Sequence, residues 1–279
     1  MDSSAVITQE ARERSVSPCS GGSIRGHWPE YLMEATCFGS LIFMVCLFTV
    51  LLEHPDSPLR QAITNPLLRR GIRGVVTGIA VITLIHTRWG KRAGGHLNPS
   101  VTLAYFSLGK VGGSDSFFYA ISQFTGGVAG VLAARALFGT ALSAVHYPVT
   151  APGTRGPLIA FGGEFAISAL MMFGVLIVSN TKRVHRLTPL FTGALAAAFL
   201  TFEAPLSGAS MNPARTFGPA LSAGSWTALW VYLTAPPLGM LLAAQLYRAW
   251  RGSQMVFCAK LHHENNERCI FRCNFRAIR

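Results

Sequence analysis

Asn-Pro occurs in two matched contexts, at Asn98-Pro99 within GGHLNPSVTLAYFSL and, 114 residues on, at Asn212-Pro213 within SGASMNPARTFGPAL. Asn is a strong helix N-cap, and Pro suits the first helical turn, where no N–H is needed. Each pair therefore reads as the start of a short helix. The Asn side-chain oxygen caps that helix and leaves the amide NH2 to donate elsewhere. A helix N-terminus carries roughly half a positive charge from its aligned peptide dipoles. Two such ends aimed at one point present donors and no acceptor. That arrangement suits an oxygen of an uncharged group lying between the two ends. Arg215, shortly after the second pair, adds a fixed cation.

Other reactive side chains come in smaller sets. Glu34 and Glu164 sit in apolar stretches, where a carboxylate either couples to protons or accepts from nearby backbone. Their matched placement favours anchoring of the loops that lead to the Asn-Pro pairs. His96 reads as a loop donor, with pH sensing as the alternative. Near the C-terminus, CAKLHHENNERCIFRC gathers Cys258, His262, His263, Cys269 and Cys273. The steps Cys258–His262 and Cys269–Cys273 would share single faces of a helix. Thiolate and imidazole suit zinc or a related metal, although no common zinc spacing is matched and the thiols of a reduced tail can stay free. Cys37 and Cys46 lie in the first apolar run as small core residues. No other cofactor is indicated.

Half the chain is hydrophobic and only 13% is charged, with a mean hydropathy of +0.38. Soluble domains carry about 25% charged residues, and disorder needs the opposite balance. The composition is that of an integral membrane protein. Its net charge of +12 is spread in short clusters between apolar runs, as topology-setting Lys and Arg are, so no nucleic-acid partner is expected. The first 30 residues lack an apolar core, and no cleavable signal peptide is expected there.

Segments 31–52, 117–138, 158–178 and 226–247 approach the roughly 20 residues needed to span a bilayer. Shorter runs at 74–87 and 187–202 span if packed inside a bundle. The Asn-Pro segments are too short to cross, and read as loops that enter the membrane and become half-helices. Irregular backbone at that depth needs protein or a water-filled cavity beside it. The order span, span, half-helix, span occurs twice, with a polar linker at 54–70 in the first half. Three spans per half force the second copy to enter from the opposite side. The predicted fold is an all-α membrane protein of six transmembrane helices plus two re-entrant half-helices in an inverted repeat, with its site between the halves.

Three regions follow: a cytoplasmic tail at 1–29, a channel domain at 30–250 with repeats of about 30–139 and 157–250, and a basic Cys/His-rich tail at 251–279. With both termini inside, 17 Lys and Arg fall on the cytoplasmic side and 5 outside. This orientation predicts a multi-pass protein of the cell membrane, its basic C-terminal tail free to lie on anionic lipid.

At these residues the chain resembles the aquaporin and glycerol-facilitator family, the major intrinsic proteins, over roughly 30–250. It looks like a bacterial-type member in which Ser100 gives NPS where NPA is usual. The resemblance covers Asn98, Pro99 and Ser100 in one motif and Asn212, Pro213 and Ala214 in the other. Gln123, Glu34 and Glu164 also fall where the family places them. It implies a homotetramer with a pore in each subunit. It also implies a constriction built by Arg215, Leu200, Ala209 and either Thr77 or Gly78. Water-selective members have an aromatic and a His where this chain has a small residue and Leu200.

The expected function is passive passage of water and small neutral solutes such as glycerol across the bilayer, with ions and protons excluded. No enzymatic centre is visible. The alternatives are a secondary transporter, which shares inverted repeats, or a channel for another neutral solute (a metalloid acid, ammonia, hydrogen peroxide) with a metal-responsive tail.

Overall fold

A computed structural model describes residues 24–275. The described helices are α1 (Ile24–Glu53), α2 (Pro58–Ala62), α3 (Pro66–His86), α4 (Arg88–Ala93), α5 (Pro99–Ser107) and α6 (Gly113–Phe138) in the first half. The second half holds α7 (Thr140–Ala144), α8 (Pro157–Ser179), α9 (Thr188–Phe202), α10 (Ala204–Ser207), α11 (Pro213–Ala223) and α12 (Leu229–Arg251). Four of them, α1, α6, α8 and α12, are long and apolar enough to cross a membrane. Their outward faces carry Leu137, Leu158 and Leu170, all exposed. Lipid is the solvent those side chains require. Helices suit it because their backbone polar groups are satisfied internally. Hydroxyls on these helices bond the carbonyl one turn back, as Thr49 does to Val45 and Thr125 to Ile121.

The two remaining spans, α3 and α9, also carry exposed apolar side chains such as Val75, Ile79 and Leu190. At 15 residues and about 1.5 Å per residue, α9 is shorter than the hydrocarbon layer. It packs along α3, and the two helices meet at Gly78 and Gly193. A Cβ on either glycine would run into the backbone carbonyl of the other, so this crossing depends on the missing side chains. Small residues that let backbones approach closely are the usual device between membrane helices. Elsewhere α1 packs on α6 in the first half and α8 on α12 in the second, the same pairing twice.

Two expectations are corrected. The linker at 54–70 is largely helical: α2 occupies its middle, and α3 begins at Pro66, taking Arg69, Arg70 and Arg73 into the helix. The cause is a third Asn-Pro pair, whose Asn65 side chain caps the amides of Leu67 and Leu68 at 2.9 and 3.2 Å. The described tail does not form the helix on whose faces Cys258–His262 and Cys269–Cys273 would pair. Beyond a short 3-10 turn at Ser253–Met255, residues 256–274 run without helix and fold back under the bundle. Val256, Ala259, Leu261 and Phe271 are buried there. That apolar set has a protein surface to cover, which a lipid headgroup layer would not provide.

Candidate functional site

The half-helices α5 and α11 approach from opposite sides and meet N-terminus to N-terminus. Asn98 caps α5 through Oδ1, which accepts the Ser100 amide at 2.8 Å. Asn212 caps α11 by accepting the amides of Ala214 and Arg215 at 3.1 and 3.3 Å. Each amide NH2 then reaches across the junction. Asn98 Nδ2 donates to the Met211 carbonyl at 2.8 Å, and Asn212 Nδ2 to the Leu97 carbonyl at 2.7 Å. Leu97 and Met211 have φ of 52° and 53°, a left-handed conformation that costs non-glycine residues energy. That twist turns each carbonyl toward the opposite Asn. Pro99 and Pro213 open the two helices without needing an N–H.

Buried carboxylates hold both entry loops. Glu34 Oε1 accepts the Leu97 amide at 2.5 Å and Gln123 Nε2 at 2.8 Å. Glu164 accepts the amides of Ser210 and Met211, each at 2.7 Å, and the Ser207 hydroxyl at 2.9 Å. His96 stands between its own half-helix and the tail, with Nδ1 2.9 Å from Thr102 Oγ1 and Nε2 2.9 Å from the Ala259 carbonyl. Ser100 is fully buried, and its hydroxyl has no partner among the described residues.

A cavity of about 130 Å³ passes this junction. Asn98 and Asn212 line it where the half-helices meet, and Arg215, Thr77, Leu200 and Ala209 also line it. Gly78 does not line the cavity. Its missing side chain faces Gly193, so of the two expected positions Thr77 is the one that lines the cavity. Arg215 Nη1 is buried with no hydrogen-bond partner among the described residues, leaving a donor for whatever occupies the cavity. Much of the remaining wall is apolar, including Phe38, Val101 and Met172. No described lining residue is acidic.

Two charged lining residues escaped the sequence reading. Arg70 and Arg73 share the lumen face of α3 with Thr77, Val81 and Ile85, at steps of three and four residues. Glu53 pairs with Arg73 at 3.3 Å, and Arg70 Nε donates to the Thr201 carbonyl at 2.7 Å. The signal was present in Asn65-Pro66, which moves the start of α3 back far enough to put both on that stripe.

In the tail, Cys258, His263, Cys269 and Cys273 offer ligand atoms within 4.8 Å of one another. His262 is not among them: its ring lies against His86, centroids 4.8 Å apart. His263 instead turns toward the thiols, with Nε2 2.9 Å from Cys273 Sγ. Burial first, and then the adjacent thiols, hold the Cys258 thiol well above the ordinary range. Hydrogen bonds from Cys258 and Cys269 hold that of Cys273 below it.

This architecture, a helical membrane bundle of two inverted halves around two facing half-helices, defines a class of multi-pass membrane proteins. The chain belongs to the major intrinsic protein family, whose model matches residues 26–247. It is 36% identical over 178 residues to aquaporin NIP1-3 of Oryza sativa subsp. japonica, covering 63% of this chain and 61% of that protein. It is 30% identical over 254 residues to aquaporin-4 of Rattus norvegicus, covering 86% and 74%. The match thus spans about three-fifths of the rice protein. In structure it resembles the aquaglyceroporin of Plasmodium falciparum, with a TM-score of 0.67 at 20% identity, covering 79% of this chain and 95% of that one.

Proposed function

We propose that the chain is a passive channel for water and small neutral solutes. The reading is carried by one observation: Asn98 and Asn212 line an otherwise largely apolar cavity where the half-helices meet, each amide reaching across that junction. Donors fixed by capping and by opposite-loop carbonyls turn a solute oxygen toward both half-helix ends. Arg215, with Arg70 and Arg73 also lining the cavity, adds positive potential that repels cations. Thr77 and Leu200 leave the constriction wide and one wall apolar, which favours a solute with a carbon backbone, such as glycerol, alongside water. The protein sits in the cell membrane as a homotetramer with both termini cytoplasmic. The basic residues Arg88 and Arg186 lie at the tail end, each paired to a tail glutamate, in keeping with that orientation.

A secondary transporter would need a titratable group in the path. Glu34 and Glu164 are spent on loop amides and do not line the cavity. Stopped-flow swelling of proteoliposomes tests the channel directly. Water and glycerol fluxes that saturate, or that follow pH and membrane potential, would overturn the passive reading.

A further inference from the structure

The tail packs against the cavity and supplies part of its wall. Leu261 contributes to the cavity wall, and its amide donates to the Gly94 carbonyl at 3.0 Å. Phe271 stacks on His96 with ring centroids 5.2 Å apart. The segment carrying these residues has no helix or strand to stiffen it, so something else must hold it folded.

We propose that Cys258, His263, Cys269 and Cys273 bind a zinc ion that folds the tail into a plug over the channel's mouth, so that loss of the metal opens the channel. The donor set is three thiols and one imidazole, a complete structural zinc complement. A tetrahedral ion with zinc–sulfur bonds of about 2.3 Å sets its sulfurs about 3.8 Å apart. Cys258 and Cys269 have their sulfurs at 3.6 Å, far beyond the roughly 2.05 Å of a disulfide. His263 turns Nε2 toward Cys273 Sγ at 2.9 Å, so the fourth donor faces the same point. Cationic side chains also stand nearby. Three thiolates around a divalent ion leave one net negative charge, and the buried Lys110 and Lys260 both lie in the field of the thiols. Lys260 Nζ also ties the loop by donating to the carbonyls of Glu267 and Arg268 at 3.1 and 2.7 Å.

The ligands bracket the plug. Cys258 precedes Leu261 by three residues, and Cys269 and Cys273 flank Phe271. Binding one ion therefore fixes Leu261 in the cavity wall and Phe271 against His96, which lines the same cavity. A ligand that binds only the folded tail shifts the tail toward that state.

The site stands on the four side chains; its effect on permeation rests on the proposed conduction path. Purified full-length protein should contain one zinc per chain by elemental analysis, and Cys273→Ser should lower that to near zero. Cobalt in its place should show the visible bands of a tetrahedral thiolate site. Stripping zinc with a membrane-permeant chelator in proteoliposomes should raise the solute flux about tenfold, and adding zinc back should restore the low rate. Cys273→Ser should start at the high rate and ignore the chelator. A metal-free protein, or a Cys258–Cys269 disulfide in its place, would overturn the site. Bound zinc with a flux that chelation leaves unchanged would overturn the plug. Either failure, with flux intact, leaves the channel reading standing. Absence of flux in every form, including a chain truncated after Gly252, would instead sink that reading.

Discussion

Asn98 and Asn212 each donate to the carbonyl that immediately precedes the other, at 2.8 and 2.7 Å. The exchange couples the two half-helices, because each Asn caps its own helix with one end of the amide and holds the opposite loop with the other. Neither helix terminus can shift without breaking bonds in both halves.

Replacing Asn212 by Ala therefore removes a helix cap and a cross-junction bond together. A loss of about 2 kcal/mol follows from typical values for each. Thermal unfolding in detergent should show it, with Asn98→Ala giving a similar drop. A melting temperature unchanged in both variants would mean the exchange contributes nothing.

Ser100 is the reverse case, a fully buried hydroxyl with no described partner. Ser100→Ala keeps the backbone amide that bonds Asn98 and deletes the stranded group. Stability should rise by about 1 kcal/mol. A marked fall would show that the hydroxyl has a role in the folded junction.

The α3–α9 crossing separates two adjacent positions. Gly78→Val drives a side chain into the Gly193 carbonyl and should cost at least about 3 kcal/mol, seen as lost folded yield. Thr77→Val is nearly isosteric and faces the cavity, so the fold should survive while the flux ratio of water to glycerol changes. Equal destabilisation by the two would place Thr77 in the packing and not at the lumen.

At the constriction, Thr77→Phe combined with Leu200→His narrows the wall and adds a polar group. Water flux relative to glycerol should increase about tenfold or more, a difference of about 1.4 kcal/mol between barriers. Stopped-flow swelling with each solute reads the ratio, and an unchanged ratio would remove both residues from the filter.

Glu164 anchors three donors, two of them amides of the loop that turns into α11. Glu164→Gln keeps one acceptor oxygen and loses the charge, so stability should drop by about 2 kcal/mol. Flux through the folded fraction should stay independent of pH. A pH-dependent wild-type flux that this substitution abolished would make Glu164 a proton carrier instead of an anchor.

The inverted repeat was legible in one dimension because its signals are local. Apolar length reports a span, and Asn-Pro reports a helix start wherever it occurs. The same rule explains a miss. Asn65-Pro66 starts α3 as Asn98-Pro99 starts α5, and reading it would have moved Arg70 and Arg73 onto the lumen stripe. Composition alone made 54–70 look like a linker, since Arg and Pro are rare in spans that face lipid.

Sequence by itself determined the membrane setting, the doubled order of spans and half-helices, and the identity of the two capping Asn residues. Each of these rests on hydrophobic length or on chemistry within a few neighbouring residues. Tertiary structure alone decided that Thr77 and not Gly78 lines the cavity, because a glycine contact between helices is invisible until the helices cross. It also decided that His263 and not His262 joins the cysteines, and that the tail lies under the bundle. A chain without regular structure has no periodicity to read, so its side chains are sorted only by the surface it packs against.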